Sequence, residues 1–197
     1  SFDKWRIESY YGRLNYNILD RYLLTTTLRA DGSSSFYTDN HWGWFPSVAV
    51  AWRISQEPFM KDLTWLSNAK LRLGWGLVGN QNAGSFAYGV AMKTVATAWG
   101  NGYYAGNYAN RGLKWESTKS WNVGLDLSFF NNRIEFIVDA YYKNTSNLLM
   151  YAVLPTYLID EEGYQWYFSA KPPYVNTGSI RNNGIEFTLN TVNISTK

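Results

Sequence analysis

The side chains that most often carry out chemistry are scarce in this chain. There is no Cys and a single His, His41. Thiolate nucleophiles, disulfides and imidazole pairs for zinc or proton relay are therefore excluded. His41 stands beside Trp42 in a polar stretch and reads as a solvated or loop-packing residue. Ser33-Ser34-Ser35 has no base near it in sequence and reads as a turn. Asp160-Glu161-Glu162 could offer carboxylate oxygens to a hard cation, although a solvated acidic loop is the simpler reading. No catalytic residue, metal site or cofactor is implied. Aromatic side chains, by contrast, are abundant: 10 Trp, 16 Tyr and 10 Phe make up 18% of the chain. Trp99, Tyr103, Tyr104 and Tyr108 fall in one stretch without period, and Tyr157, Tyr164, Trp166, Tyr167 and Tyr174 fall in another. Flat rings stack on sugar faces or cover peptide side chains at modest entropic cost. They can equally pack loops against each other or against a partner. These nine are the ligand-binding candidates.

The elements that must position them follow a period of two. In 21–31, Tyr22, Leu24, Thr26, Leu28 and Ala30 share one face, and Leu23, Thr25, Thr27, Arg29 and Asp31 the other. The same alternation runs through 44–55, 69–78, 121–129, 134–143 and 185–190, and more weakly through 10–17. Leu23, Phe45 and Ile137 are apolar exceptions on the polar faces. Seven antiparallel strands are expected. Short joins at 18–20 and 130–133 alternate with long stretches at 32–43, 79–120 and 144–184, which gives one short-turn end and one long-loop end. The join at 56–68 belongs to the short-turn end but is not short, and a helical turn is expected around Glu57-Pro58-Phe59-Met60.

A soluble antiparallel sheet also alternates, with its apolar face against a core, so a soluble β-sandwich carbohydrate-binding module is one reading. Three features favour a membrane barrel. The polar faces mix charges with glycines, as a water-filled lumen tolerates; Arg29, Arg53, Arg72, Asp126, Glu135 and Asp139 are the lumen-facing candidates, free to contact a plug or to pair across strands. Strands of about ten residues, at ~3.3 Å rise and ~45° tilt, span roughly 23 Å, close to the ~25 Å apolar band of an outer-membrane barrel. The apolar-face aromatics lie at strand ends: Tyr22, Trp52 and Phe129 at the short-turn end, Trp44, Trp121 and Tyr142 at the long-loop end, with Trp75 near it. Two such belts suit the two membrane interfaces. No run approaches a membrane-spanning helix, the opening Ser1 to Trp5 lacks a signal peptide's apolar run, and a net charge of +3 gives no footing for nucleic acid. Seven strands cannot close the wall, because single-chain bacterial barrels have even numbers from ~8 upward and an open edge in lipid is costly.

Several segments come in a familiar order: Leu28-Arg29-Ala30-Asp31-Gly32-Ser33-Ser34, then 45–55 (FPSVAVAWRIS), Glu57-Pro58-Phe59-Met60, 66–76 (LSNAKLRLGWG), Gly79-Asn80-Gln81, 113–118 (LKWEST), Asn122-Val123-Gly124-Leu125-Asp126, Tyr141-Tyr142-Lys143-Asn144-Thr145 and 176–187 (NTGSIRNNGIEF). Together they resemble the late barrel strands of SusC/RagA-like TonB-dependent transporters of the Bacteroidota. The resemblance implies a barrel of ~22 strands closed by a plug. It also implies a SusD-like surface lipoprotein as lid, energy from the TonB complex, and import of oligosaccharides or peptides through the bacterial outer membrane. No plug, TonB box or barrel C-terminus is recognised in 1–197, so the range reads as part of a barrel domain. The long loops would be extracellular and the short turns periplasmic. A passive porin is the remaining alternative; an enzyme is not expected.

Overall fold

A computed structural model describes residues 5–84, 87–153, 155 and 170–193. Its main element is one sheet of seven antiparallel strands: β1 (Ile7–Ile18), β2 (Tyr22–Ser33), β3 (Trp42–Arg53), β4 (Leu66–Asn80), β7 (Glu116–Phe129), β8 (Ile134–Tyr151) and β9 (Tyr174–Thr191). They lie side by side in chain order, and a separate two-stranded hairpin, β5 (Met92–Thr97) with β6 (Gly100–Ala105), interrupts the series. Among the described residues no second layer covers the apolar face: Leu73 is 46% and Phe187 69% exposed. A sandwich must bury that face, so the soluble-module reading fails.

The register shows why the alternation is coherent. Leu24 faces Val50, Val50 faces Leu73, Leu73 faces Val123 and Val123 faces Ala140. Each residue of this row thus has an apolar partner across the strand, and a slip of one residue would turn the whole row over. The strands outrun their expected bounds. The connections that were expected at 32–43, 79–120 and 144–184 shrink to 34–41, 81–115 and 152–173. At ~3.3 Å per residue and ~45° tilt, the 18 residues of β8 rise roughly 42 Å, well beyond a ~25 Å apolar band. Above Tyr142 the pairing side chains become hydroxyls, with Thr118 bonded to Thr145 at 2.8 Å and Ser117 to Ser146 at 3.2 Å. Lys143 to Asn147 are polar on both faces of β8, so the apolar alternation disappears there while the strand continues.

On the polar face, Arg72 pairs with carboxylates of two neighbouring strands. Its guanidinium donates to both Asp126 oxygens at 2.7–3.0 Å and to Asp139 at 3.1 Å. Arg72 stands opposite Gly124, and Gly124 opposite Asp139. A Cβ on Gly124 would lie 2.5 Å from Asp139 and 2.6 Å from Arg72. The glycine is therefore the gap through which one side chain of β4 crosses β7 to reach β8. Arg29 pairs with Asp31 at 2.7 Å, and Glu135 accepts from Asn190 at 2.9 Å. Arg53 is half-buried at the end of β3, where its backbone N–H donates to the Arg21 carbonyl.

At the short-turn end, two 3₁₀ turns (Ile54–Gln56 and Pro58–Met60) occupy the long join. They bring Glu57, 6% exposed, beneath two rings of the apolar face. Its carboxylate accepts from the Tyr22 hydroxyl at 2.7 Å, the Trp52 indole at 3.0 Å and the Arg21 guanidinium at 3.4 Å. Tyr22 and Trp52 stack at 6.4 Å, and Trp65 stacks on Phe129 at 5.8 Å.

Two outcomes are expected. Gly124→Val blocks the Arg72 crossing and lowers the stability of the wall by about 1–3 kcal/mol, read as a lower thermal midpoint of the purified barrel. Gly74→Ala, whose Cβ would meet only Asn122 at 3.8 Å, changes it little. The Tyr22 and Trp52 hydrogen bonds hold the Glu57 carboxyl below its ordinary 4.5, helped by Arg21. A depressed carboxyl stabilises fully above its unfolded value and loses that contribution as pH falls through the folded one. Protease cleavage within 54–65 should therefore stay slow at neutral pH and accelerate below about pH 4. In Glu57→Gln, cleavage should be faster at neutral pH and nearly flat with acidification.

Candidate functional site

At the long-loop end the connections fold over the polar face and build the buried core of the described residues. Phe36, Ala83 and Leu113 are its centre, with Trp115, Leu149 and Tyr174 packed around it. Phe45, the exception in β3, belongs to this cluster. Its ring meets Trp115 edge-on at 5.3 Å and covers Gly43 and Gly79, where a Cβ would collide with it. Trp115 also touches Phe36 at 5.1 Å, and its indole donates to the His41 carbonyl at 3.3 Å. The other two exceptions, Leu23 and Ile137, stay in the polar-face rows opposite Ala51 and Asp126.

Amide side chains lock the loop to the sheet. Asn176 acts as a surrogate strand for Lys114: its Oδ1 accepts from the Lys114 N–H at 2.8 Å, and its Nδ2 donates to the Lys114 carbonyl at 2.7 Å. Asn110 donates to the Tyr174 carbonyl at 2.7 Å. The segment after β6 is held to the segment before β9 by Lys171 N–H to Gly106 carbonyl at 2.9 Å and Tyr108 N–H to Lys171 carbonyl at 3.1 Å. Sequence reasoning missed Asn110, Asn176 and Glu57. The only signal for Asn176 was its place in the 176–187 segment; Asn110 and Glu57 depend on contacts across 64 and 35 residues.

The aromatic candidates do not converge on one point. Trp99 is the tip of the β5–β6 hairpin and is 96% exposed. Tyr103 and Tyr104 follow each other in β6 and so face opposite sides of the hairpin; Tyr103 is exposed, and Tyr104 lies beneath the Lys93 ammonium at 5.9 Å. Tyr108 is at the loop–β9 junction. Tyr174 lies against Tyr151 at 4.2 Å and also supports the core. Tyr157, Tyr164, Trp166 and Tyr167, like Asp160-Glu161-Glu162, lie outside the described residues. Beside the Tyr151–Tyr174 pair is a cavity of about 370 Å³, bordered by Lys93, Asn107, Lys171 and Pro173. It offers ring faces, an amide and two ammonium groups, a set suited to polar ligands with flat or hydroxylated surfaces.

The belt candidates lie along the apolar face at its two ends. Tyr22, Trp52 and Phe129 take part in the short-turn contacts above. Trp75 and Trp121 face each other with centroids 6.0 Å apart, Trp44 is exposed, and Tyr142 carries the Arg181 guanidinium over its ring at 5.7 Å.

This geometry agrees with the comparisons. Residues 1–195 match the family described as TonB dependent receptor-like, beta-barrel. TonB-dependent receptor SusC of Bacteroides thetaiotaomicron is 45% identical over 197 residues, covering 96% of this chain and 19% of that protein. TonB-dependent receptor P26 of Formosa agariphila is 37% identical, covering 99% and 19%. Among solved structures, the RagAB peptide importer in its closed-closed state superposes with a TM-score of 0.83 at 27% identity, over 97% of this chain and 20% of that one. The siderophore receptor PirA of Pseudomonas aeruginosa shares the fold, with a TM-score of 0.60 at 16% identity. The chain thus spans about a fifth of the length of the relatives it matches. It belongs to the TonB-dependent receptor β-barrel family, as a stretch of outer-membrane barrel wall of the SusC/RagA type.

Proposed function

We propose that the protein containing this wall imports oligosaccharides or peptides across the outer membrane, energised through TonB and working with a SusD-like surface lipoprotein. The observation that carries the reading is the placement of rings on the extracellular loops. The fully exposed Trp99 indole stands at the tip of a two-stranded arm, and the Tyr151–Tyr174 pair lines a cavity at the base of the same loops. Exposed rings of this kind suit a ligand with flat hydroxylated or amide faces. SusC, a TonB-dependent receptor by name, and RagAB, a peptide importer by title, are the relatives that support the transport class. On this reading 1–197 is part of the barrel domain, and Arg29, Arg53 and Glu135 face the lumen where a plug would sit. Tyr22, Trp44, Trp52, Trp75, Trp121, Phe129 and Tyr142 mark the two lipid–water boundaries.

Trp99→Ala should weaken ligand capture by the full-length transporter with its lid about two- to tenfold, the worth of one ring contact of ~0.5–1.5 kcal/mol, while the amount of assembled barrel is unchanged. Calorimetric titration checks the first and heat-modifiable gel mobility the second. An unchanged affinity removes Trp99 from the site. Uptake in whole cells should stop when a protonophore collapses the energising gradient; uptake that persists identifies a passive porin instead.

A further inference from the structure

The cavity beside the Tyr151–Tyr174 pair is bordered by two cations and, among the described residues, by no carboxylate. Backbone contacts bring those cations together from two separate segments. Lys93 lays its stem over Gly106, where a Cβ would come 2.8 Å from its Cγ and 3.2 Å from its Cδ. The Gly106 carbonyl in turn accepts the Lys171 N–H at 2.9 Å. One glycine thus seats the first lysine and fixes the second. Among the described residues neither ammonium has an ion-pair partner. Two positive groups on one cavity, with no acid beside them, favour an anion there.

The other polar groups of the rim are already engaged. The Asn107 amide serves the backbone, accepting from the Ala91 N–H at 2.6 Å and donating to the Gly89 carbonyl at 2.8 Å. The carbonyls of Ala91, Lys171 and Pro173 accept from Gly106, Tyr108 and Ala152, and that of Tyr174 from Asn110. Pro172 and Pro173 have no N–H to give. An extended peptide docks through main-chain donors and acceptors, and this rim has few to offer it. Ammonium groups and ring faces remain. Tyr151 is 57% exposed, and Tyr174 backs it at 4.2 Å while resting on the loop core. A ring held from behind meets the apolar face of a sugar at little entropic cost.

We propose that this cavity selects acidic oligosaccharides: the Lys93 and Lys171 ammonium groups hold a carboxylate or sulfate of the sugar while its apolar face covers Tyr151. The inference rests on the import of oligosaccharides through this barrel. An ammonium is a point charge that demands no planar, two-pronged partner, so either anion fits.

The test is calorimetric titration of the full-length transporter with its lid. The probes are short oligomers of galacturonate, of mannuronate and guluronate, and of sulfated galactose, each beside its methyl-esterified or desulfated counterpart, and an acidic hexapeptide. At least one acidic sugar should bind about tenfold tighter than its neutral counterpart at low salt, and added salt should erode the difference. Lys93→Gln and Lys171→Gln should each weaken that acid about three- to fivefold and cut its advantage over the neutral sugar, whereas Lys→Arg at either position should retain most of it. Lys119→Gln, on the other face of the wall in β7, should change nothing, with heat-modifiable mobility as the check of folding throughout. Whether the preferred acid is a uronate or a sulfate ester identifies the anion. Equal binding of acidic and neutral sugars, preference for the peptide, or binding of no acidic sugar overturns the proposal. So does an equal loss of acid and neutral sugar in the lysine variants, which marks a structural role. Neutral sugars bound alone, with uptake still stopped by a protonophore, overturn this inference and leave the import reading standing; uptake indifferent to the protonophore overturns the import reading itself.

Discussion

A sheet one layer thick must satisfy two solvents at once, and everything else in this structure follows from that. In hydrocarbon no water repairs an unpaired N–H or C=O, so the strands must pair along their whole buried length. With no opposing layer, neither face can hide a misplaced side chain. The strict pairing of Leu24, Val50, Leu73 and Val123 across four strands is the outcome. From the wet side Arg72 holds the same alignment by gripping Asp126 and Asp139 through the gap at Gly124. A partly solvated ion pair contributes little energy by itself. Its value here is geometric, because a slipped β7 would put a Cβ-bearing residue in the gap.

The polar face solves a packing problem with large and small residues in alternation. Phe45 would be an exposed ring on a bare wall. It is instead folded flat over glycines of two strands and capped by Trp115. The loops thus gain a small apolar core on the inner surface, centred on Leu113 and Phe36, while the outer surface has none. Asn176 extends the sheet sideways without a strand, giving Lys114 the donor and acceptor that a neighbouring backbone would supply.

The seven strands and their connectivity were legible because period two, sustained over six or more residues in each, admits no helical reading. The turn at Glu57-Pro58 was legible from its proline. Strand ends were not: in β8, Lys143 to Asn147 are polar on both faces, and alternation carries no signal where both solvents are water. The β5–β6 hairpin was hidden for the same reason, since Met92–Thr97 and Gly100–Ala105 bury little on either side. Phe45 was visible as an anomaly, but its cause lay 70 residues away in Trp115. The loop rings could be named from composition. That Tyr103 and Tyr104 point apart needed only the recognition of a strand, whereas the approach of Tyr174 to Tyr151 needed the register of β8 on β9.

The height of β8 divides the wall into two storeys with different rules. The lower one has its length dictated by bilayer thickness and its faces by hydrocarbon, so it tolerates neither added nor removed residues. The upper one answers to hydrogen bonding, parity and, at Leu149 and Tyr174, packing on the loop core. Lengthening paired strands there by two residues each leaves every existing side chain on its original face. A mouth built this way can be raised, lowered or refitted by even-numbered insertions while the anchored part beneath keeps its register.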